Sequence, residues 1–210
     1  MMLAGFRSAM LLHACGVSIR RGRTNMYMAA ESSFWTLDEL HRLPDDGNKY
    51  ELVRGKLFVT PPPARQHETI AARLARILDT FVAEHSLGLV YRPRAVLRTG
   101  DGEVEPDIMV RLEDSGAGNA WEAAPLPILV VEISSPTTRR RDRLQKRQFY
   151  LDAGVAEYWI VDAEAQVVTV SRPGSRDVEC DSVVQWHPLG ALQPLEVSVR
   201  ELFAGFSGAS

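Results

Sequence analysis

Two carboxylates interrupt apolar segments of this chain, and a basic segment follows them. Asp107 lies within VEPDIMV, Glu132 lies within ILVVEISSPTT, and Lys146 follows within RRRDRLQKRQFY. A carboxylate in an apolar strand is costly to bury unless it is paired or binds a cation. Mg²⁺ suits two such side chains, because it takes few protein oxygens and keeps several of its waters. The pattern therefore predicts a divalent-metal site, with Asp107 and Glu132 as ligands, that is directed at a phosphate.

Taken singly, each carboxylate also has a purely structural interpretation. Asp107 would fit a turn or a helix cap, and Glu132 would fit an ion pair with an arginine. Side chains alternate across a strand, so one face around Glu132 is expected to be apolar core and the other to carry the carboxylate among small residues. Pro106 is typical of an edge strand or a strand start, which predicts an open cleft beside Asp107.

The basic segment is predicted to supply the cations of the site. Asp142, Lys146 and Tyr150 are four residues apart and would share one face of a helix, with Arg139 and Arg143 close to that face. Lys146 is predicted to hold the scissile phosphate or to stabilise a metal-bound hydroxide. The two arginines and Tyr150 are predicted to contact nucleic acid. The alternative is a solvated surface on which Asp142 pairs with Lys146.

Two further residues are candidates for the same site. Glu51 lies in YELVRGKL, a pattern that predicts a hairpin, and it would be either a third site carboxylate or a solvent-facing strand residue. His67 opens a long helical segment, where it would contact nucleic acid or have a capping or surface role. The chain has no GxSxG elbow, P-loop, HExxH or CxxC pair, so other well-known hydrolase and redox sites are not indicated.

The periodicity of apolar residues predicts a domain that mixes helices and strands. Thr36 and Glu39 have the spacing of a capping box for a short helix. Two further helices are predicted by the periodicity of apolar residues, over 66–85 and over 139–153, and Gly154 is the stop signal of the latter. This order of elements predicts an α+β or mixed α/β fold with a sheet core. A loop is predicted at 112–127, and strands are predicted at 89–97, 104–110, 128–134, 158–161, 167–170 and 178–186.

Composition limits the class of protein. The chain has 210 residues, of which 45% are hydrophobic, and a formal net charge of −3. This suits one compact domain and gives no overall basic surface of the kind that sequence-independent nucleic-acid binders carry. Two cysteines provide no disulfide framework, which favours the reducing cytoplasm. No apolar run approaches the ~18 residues of a membrane span, so no membrane association is predicted.

The first thirty residues differ from the rest. They hold four arginines and no acidic residue before Glu31. We interpret residues 1–30 as an N-terminal extension, either disordered or upstream of a true start near Met26 or Met28, and residues 31–210 as the functional domain. The apolar run MLLHACGVSI resembles a secretory signal only weakly, because His13 lies inside it.

The order Pro106-Asp107 followed by Glu132-Ile133-Ser134 resembles the PD-(D/E)XK nuclease superfamily. The chain is more closely similar to the Uma-two type of restriction-endonuclease-like proteins, which are widespread in bacteria. The similarity extends from about residue 35 to about residue 203. It rests on the helix from His67 and on the segments YELVRGKLFVTPPP, VEPDIMV, LVVEISSPTT and DRLQKRQFYLDAGVAEYWIVD.

This resemblance implies a restriction-endonuclease-like fold, in which a mixed central β-sheet is flanked by helices. It implies a phosphodiesterase site that uses Mg²⁺, or Mn²⁺ in its place, with Asp107 and Glu132 as metal ligands. The superfamily lysine would stand at position 134, which is a serine here, so the resemblance assigns its role to Lys146 on the following helix. Glu51 matches an acidic site residue, and Tyr150 matches a residue that lines the cleft.

The leading functional hypothesis is a cytoplasmic, Mg²⁺-dependent endodeoxyribonuclease that hydrolyses the phosphodiester bonds of DNA. A homodimer would be suited to cutting both strands of a duplex. One alternative is a non-catalytic nucleic-acid-binding module of the same fold, which the acidic net charge and Ser134 favour. Another is a nuclease that acts on RNA, or an enzyme for a small phosphodiester.

Overall fold

The computed structural model describes residues 34–113, 118, 120–136 and 138–206. The predicted N-terminal extension, residues 1–30, therefore lies outside the described residues. The helices are α1 (Leu37–Leu40), α2 (Arg65–Glu84), α3 (Arg139–Arg141), α4 (Arg147–Ala153) and α5 (Val199–Leu202), and a π-helical segment, Asp142–Lys146, joins α3 to α4. The strands are β1 (Lys49–Val53), β2 (Lys56–Thr60), β3 (Leu89–Tyr91), β4 (Leu97–Thr99), β5 (Gly102–Val104), β6 (Ile108–Arg111), β7 (Leu129–Ser134), β8 (Tyr158–Asp162), β9 (Val167–Ser171), β10 (Val178–Cys180), β11 (Val183–Trp186) and β12 (Leu195–Ser198).

The strands of the described residues form three sheets. The central sheet has six strands in the order β10-β9-β8-β7-β6-β3. Its β7–β8 pair is parallel and its other pairs are antiparallel. A four-stranded antiparallel sheet has the order β2-β1-β5-β4, and β11 pairs with β12. A mixed central sheet with helices packed on it confirms the predicted fold class.

The central sheet separates two apolar clusters. Residues of α2 pack against one face, where Val131 and Ile133 of β7 belong to the larger cluster. Val130 of β7 belongs to a second cluster, together with Phe149 of α4 and Val53 of β1. The alternation predicted for β7 is therefore confirmed. The face opposite α2 is apolar as well, and it is on this face that Glu132 lies among the site residues.

Several predicted elements are confirmed. The β1–β2 hairpin turns at Arg54 and Gly55, whose φ angles are 51° and 75°, as the tight turn of a two-residue hairpin requires. Thr36 caps α1 through a complete capping box. The helix predicted over 139–153 ends at Gly154, which has φ 94° and so adopts the left-handed conformation that favours glycine.

Three segments predicted as single strands are each divided in two. Segment 89–97 forms β3 and β4, segment 104–110 forms β5 and β6, and segment 178–186 forms β10 and β11, and the two halves always belong to different sheets. The single-strand predictions were wrong because Pro93 and Pro106 lack the N–H that a ladder needs and because the chain bends at Asp181 and Ser182. The break at Pro106 is the one that matters for the site, since Asp107 follows it.

Within the described ranges, no helix has both the length and the apolar character that a bilayer span requires.

Gly102 permits a close approach between β5, β1 and α4. A Cβ atom at this position would meet the carbonyl oxygen of Leu52 and would lie 2.7 Å from the ring of Phe149. We expect Gly102→Ala to lower the free energy of unfolding by about 1–3 kcal/mol, the usual range for overpacking, as measured by urea denaturation. Gly100→Ala is the control, because a Cβ there meets nothing within 4 Å. Equal midpoints for the two variants would contradict this packing.

Candidate active site

Four side chains that are distant in sequence meet on one face of the central sheet: Glu51 from β1, Asp107 immediately before β6, Glu132 from β7 and Lys146 from the π-helical segment. All four are buried. Ile108 pairs with Val131 in the antiparallel register, so Asp107 continues that register opposite Glu132. Residues opposite each other in an antiparallel pair project to the same face. Asp107 Oδ2 also accepts a 2.8 Å hydrogen bond from the N–H of Ile133.

Lys146 is enclosed between two carboxylates. Its Nζ donates to Oε1 of Glu51 and to Oε1 of Glu132, at 2.8 Å in each case, and its side chain is 0% exposed. The hydroxyl of Tyr150 donates to the same Glu132 oxygen at 2.5 Å. The alternative pair between Asp142 and Lys146 is not present, because Asp142 pairs with Arg141 instead.

The helix that carries Lys146 is not a continuous α-helix. Its central segment, Asp142–Lys146, is π-helical, and both Asp142 and Lys146 are buried there. π-Helical segments within α-helices are rare in proteins overall, but those that occur are often found at functional sites. The wider turn begins and ends with a buried charged residue, and it brings Lys146 and Tyr150 to the same oxygen of Glu132.

Asp107 is held from three directions. Lys49 Nζ lies 3.3 Å from Oδ1, and His67 Nε2 lies 3.0 Å from Oδ2, which also accepts the Ile133 N–H. Sequence reasoning missed Lys49, although strand alternation places it on the same face of β1 as Glu51. The predicted capping role of His67 is not observed, since the N-cap of α2 is Ala64.

The surrounding charges make the three carboxylates chemically unequal. Burial would raise the pKa of Glu51, but the ammonium groups of Lys146 and Lys49 outweigh it and lower that pKa to about 2. Burial is likewise outweighed at Asp107, where Lys49 and His67 hold the pKa well below its usual range. At Glu132 burial prevails over both lysines, and the pKa rises to about 7. The site therefore combines two ionised carboxylates with one that is nearly balanced at neutral pH.

The residues predicted to contact nucleic acid differ in how accessible the structure leaves them. Arg139 is paired with Asp162 and Glu164, and Arg143 is paired with Glu179. Tyr150 is fully buried, so a direct contact of its ring with nucleic acid is not compatible with this structure. His67 is 22% exposed and borders the site. The two arginines stand on the surface with their charges compensated by partners from other elements.

The oxygen donors of the site fit a hard divalent cation. Asp107 and Glu132 share one face, and Glu51 Oε2 is buried with no hydrogen-bond partner among the described residues. An unpaired buried carboxylate oxygen is costly, and a cation would relieve that cost. In the part of the chain that the structure describes, no three His, Cys, Asp or Glu side chains form a ready-made metal cage. Two carboxylates completed by water suit Mg²⁺, whereas structural Zn²⁺ sites use His and Cys ligands.

Removing the charge of Lys146 should destabilise the domain. Lys146→Met would leave Glu51 and Glu132 without their shared cation in the interior. Breaking a buried ion pair in this way typically costs 3–5 kcal/mol, and we expect a loss of about that size in urea denaturation at mildly alkaline pH. Lys56→Met on β2 is the control, because Lys56 is exposed. Coincident midpoints for the two variants would show that the buried pairs contribute no stability.

Glu132 should make the metal-free fold less stable as pH rises towards neutrality. Its pKa in the fold is about 7, against an ordinary value of 4.5, so between these values the folded state binds more protons than the unfolded state. Stability then falls as pH rises through this interval. In EDTA, the stability of Glu132→Gln relative to the unsubstituted protein should increase between about pH 5 and about pH 8. A difference that stays constant with pH would contradict the raised pKa.

Comparisons with known proteins agree with this architecture. Residues 37–209 match the Uma2 family model, which is described as "Putative restriction endonuclease". The fold is similar to that of a "putative nuclease belonging to DUF820" from Anabaena variabilis ATCC 29413, with a TM-score of 0.68 and 24% sequence identity over 81% of this chain and 98% of that one. No curated protein matches the chain significantly. Because the family model spans most of the sequence, the chain belongs to the Uma2 family.

Proposed function

We propose that this protein is a Mg²⁺-dependent endodeoxyribonuclease that hydrolyses phosphodiester bonds of DNA. The observation that carries the proposal is the placement of Asp107 and Glu132 on one sheet face, beside the buried cation of Lys146. Membership of the Uma2 family, which is described as "Putative restriction endonuclease", supports the same reaction class.

Asp107 and Glu132 would hold Mg²⁺, or Mn²⁺ in its place. The bound ion would supply positive charge for the phosphoryl oxygens and would activate the attacking water. Asp107 is ionised well below neutral pH and is therefore ready to bind a cation. The Glu132 carboxyl, whose pKa is about 7, would lose its proton as the cation binds.

The protein's own contribution is a fixed arrangement of charge. His67 and the Ile133 N–H orient Asp107, while Tyr150 and Lys146 orient Glu132. Preorganised charges in a site from which water is excluded stabilise a transition state more than the same charges would in water. Lys146 provides such a charge, and it acts through the carboxylates that it holds.

The serine at position 134 is compatible with this proposal. Ser134 lies on β7 two residues after Glu132 and is buried, and its Oγ has no hydrogen-bond partner among the described residues. A lysine is not required there for a cation to reach Glu132, because Lys146 reaches it from the following helix at 2.8 Å. This weakens the argument from Ser134 for a non-catalytic module.

The proposal is tested by incubating the protein with supercoiled plasmid, duplex DNA, single-stranded DNA and RNA, in Mg²⁺, Mn²⁺ or EDTA. We expect DNA cleavage with either metal and none in EDTA. Asp107→Asn should lower cleavage by at least about 100-fold, on the order of losing one transition-state contact. The asparagine oxygen can still accept the Ile133 N–H, so the fold should persist. Asp181→Asn, at an exposed turn, is the control.

The substrate panel also separates the alternatives. If only RNA were cleaved, and only with metal, RNA would replace DNA as the proposed substrate and the site assignment would stand. Binding of DNA without cleavage under any metal condition would favour the non-catalytic module. Full activity of Asp107→Asn would remove Asp107 from the reaction.

A further inference from the structure

We infer that Lys49, and not Lys146, is the cation that contacts a phosphate oxygen of the substrate. This inference rests on the proposed function, because it requires a phosphodiester substrate. It assigns different roles to the two lysines of the site. Lys146 is a positioning residue that holds Glu51 and Glu132, whereas Lys49 faces the substrate.

Exposure separates the two lysines. The side chain of Lys146 is 0% exposed, whereas that of Lys49 is 18% exposed. Burial increases along β1, from a partly exposed Lys49 to a fully buried Glu51. The strand therefore carries Lys49 at the outer rim of the site and Glu51 at its base. A substrate approaching from solvent would meet the Lys49 ammonium first.

The two ammonium groups also differ in how firmly they are held. Lys146 bonds to two carboxylates at 2.8 Å each. Lys49 has a longer, 3.3 Å contact to Asp107 and a 3.0 Å hydrogen bond to the carbonyl of Glu105. An ammonium has three donors, and among the described residues each lysine uses two of them. Because only Lys49 is partly exposed, only Lys49 can offer its third donor to an oxygen that arrives from solvent. The contact between Lys49 and Asp107 is longer than the two bonds of Lys146. A phosphate oxygen of the substrate can therefore replace Asp107 as the partner of Lys49.

Further basic side chains border the same rim. His67 is 22% exposed and Arg141 is 11% exposed. His67 shares Asp107 with Lys49, and Arg141 is anchored by a 2.9 Å hydrogen bond to Thr60 on β2. Lys49 and Arg141, together with His67 when it is protonated, therefore flank the carboxylates on the accessible side, where Glu68 lies 3.5 Å from His67 and Glu105 interacts electrostatically with Lys49. This arrangement would draw a phosphate towards the carboxylates, which would otherwise repel it.

The competing explanation is that Lys49 only positions Asp107. The two explanations make opposite predictions for metal affinity. If Lys49 orients a metal ligand, its loss should weaken Mg²⁺ binding. If Lys49 is a substrate-facing cation resting on Asp107, its loss removes a repelling charge, and Mg²⁺ should bind about ten-fold tighter, as expected for one unit charge several ångströms from a divalent ion in a solvated site.

The test compares Lys49→Met and Lys49→Gln with Lys56→Met, the exposed lysine of the same hairpin. Binding of a labelled duplex oligonucleotide is measured over a series of salt concentrations, with Ca²⁺ in place of Mg²⁺, and Mg²⁺ binding is measured by calorimetry. Each phosphate contact contributes about 0.9 to the slope of log affinity against log salt. We expect both Lys49 variants to lose about that much slope and to bind Mg²⁺ more tightly, while Lys56→Met matches the unsubstituted protein.

An unchanged salt slope in both Lys49 variants, with salt-dependent binding by the unsubstituted protein, would overturn the inference and leave the proposed function standing. Weaker Mg²⁺ binding by the Lys49 variants would also overturn the inference and leave the proposed function standing, and it would identify Lys49 as a positioning residue. Failure of both variants to fold would make Lys49 structural and would also overturn the inference. Absence of any DNA binding or cleavage by the unsubstituted protein would instead overturn the proposed function, and the inference with it.

Discussion

The buried ammonium of Lys146 is the interaction on which the rest of this structure depends. Carboxylates cannot share an apolar interior without compensation, because each unpaired charge there costs several kcal/mol. Lys146 lies 2.8 Å from both Glu51 and Glu132. The hairpin, the central sheet and the π-helical segment can therefore satisfy these groups in only one relative position. The contacts that determine how the two sheets meet are the same contacts that build the site.

The charged groups around these contacts lie at different depths below the protein surface. Lys146 and Tyr150 surround Glu132 in the interior, whereas Lys49 and His67 approach Asp107 from the accessible side. Glu132 alone of the three carboxylates has its pKa raised, to about 7. Arrival of a divalent ion would be felt most strongly there, through exchange with a proton. The proposed metal binding would therefore be coupled to a change of protonation at Glu132.

Local patterns predicted much of the fold and singled out three carboxylates that the structure brings to one face of the central sheet. Asp107 and Glu132 were identifiable because a charge interrupts an apolar run, and Glu51 because it lies in a recognisable hairpin. What escaped prediction depends on partners from distant elements. The arginines at 139 and 143 looked available until strands β8 and β10 supplied Asp162 and Glu179. Lys49 carries no local signal beyond its alternation with Glu51, and the π-helical segment has no periodicity that distinguishes it from an α-helix.

The hydrogen bond from the Ile133 N–H to Asp107 has an evolutionary consequence. At this point the carboxylate takes the place of a strand carbonyl in the sheet ladder, so the side chain belongs to the backbone architecture as well as to the chemistry. Most replacements at position 107 would free a buried N–H, at a cost of about 1–3 kcal/mol. Asparagine is the replacement that retains the acceptor and removes the charge. If the proposed hydrolysis was lost in a lineage of this fold, asparagine is the replacement expected at position 107.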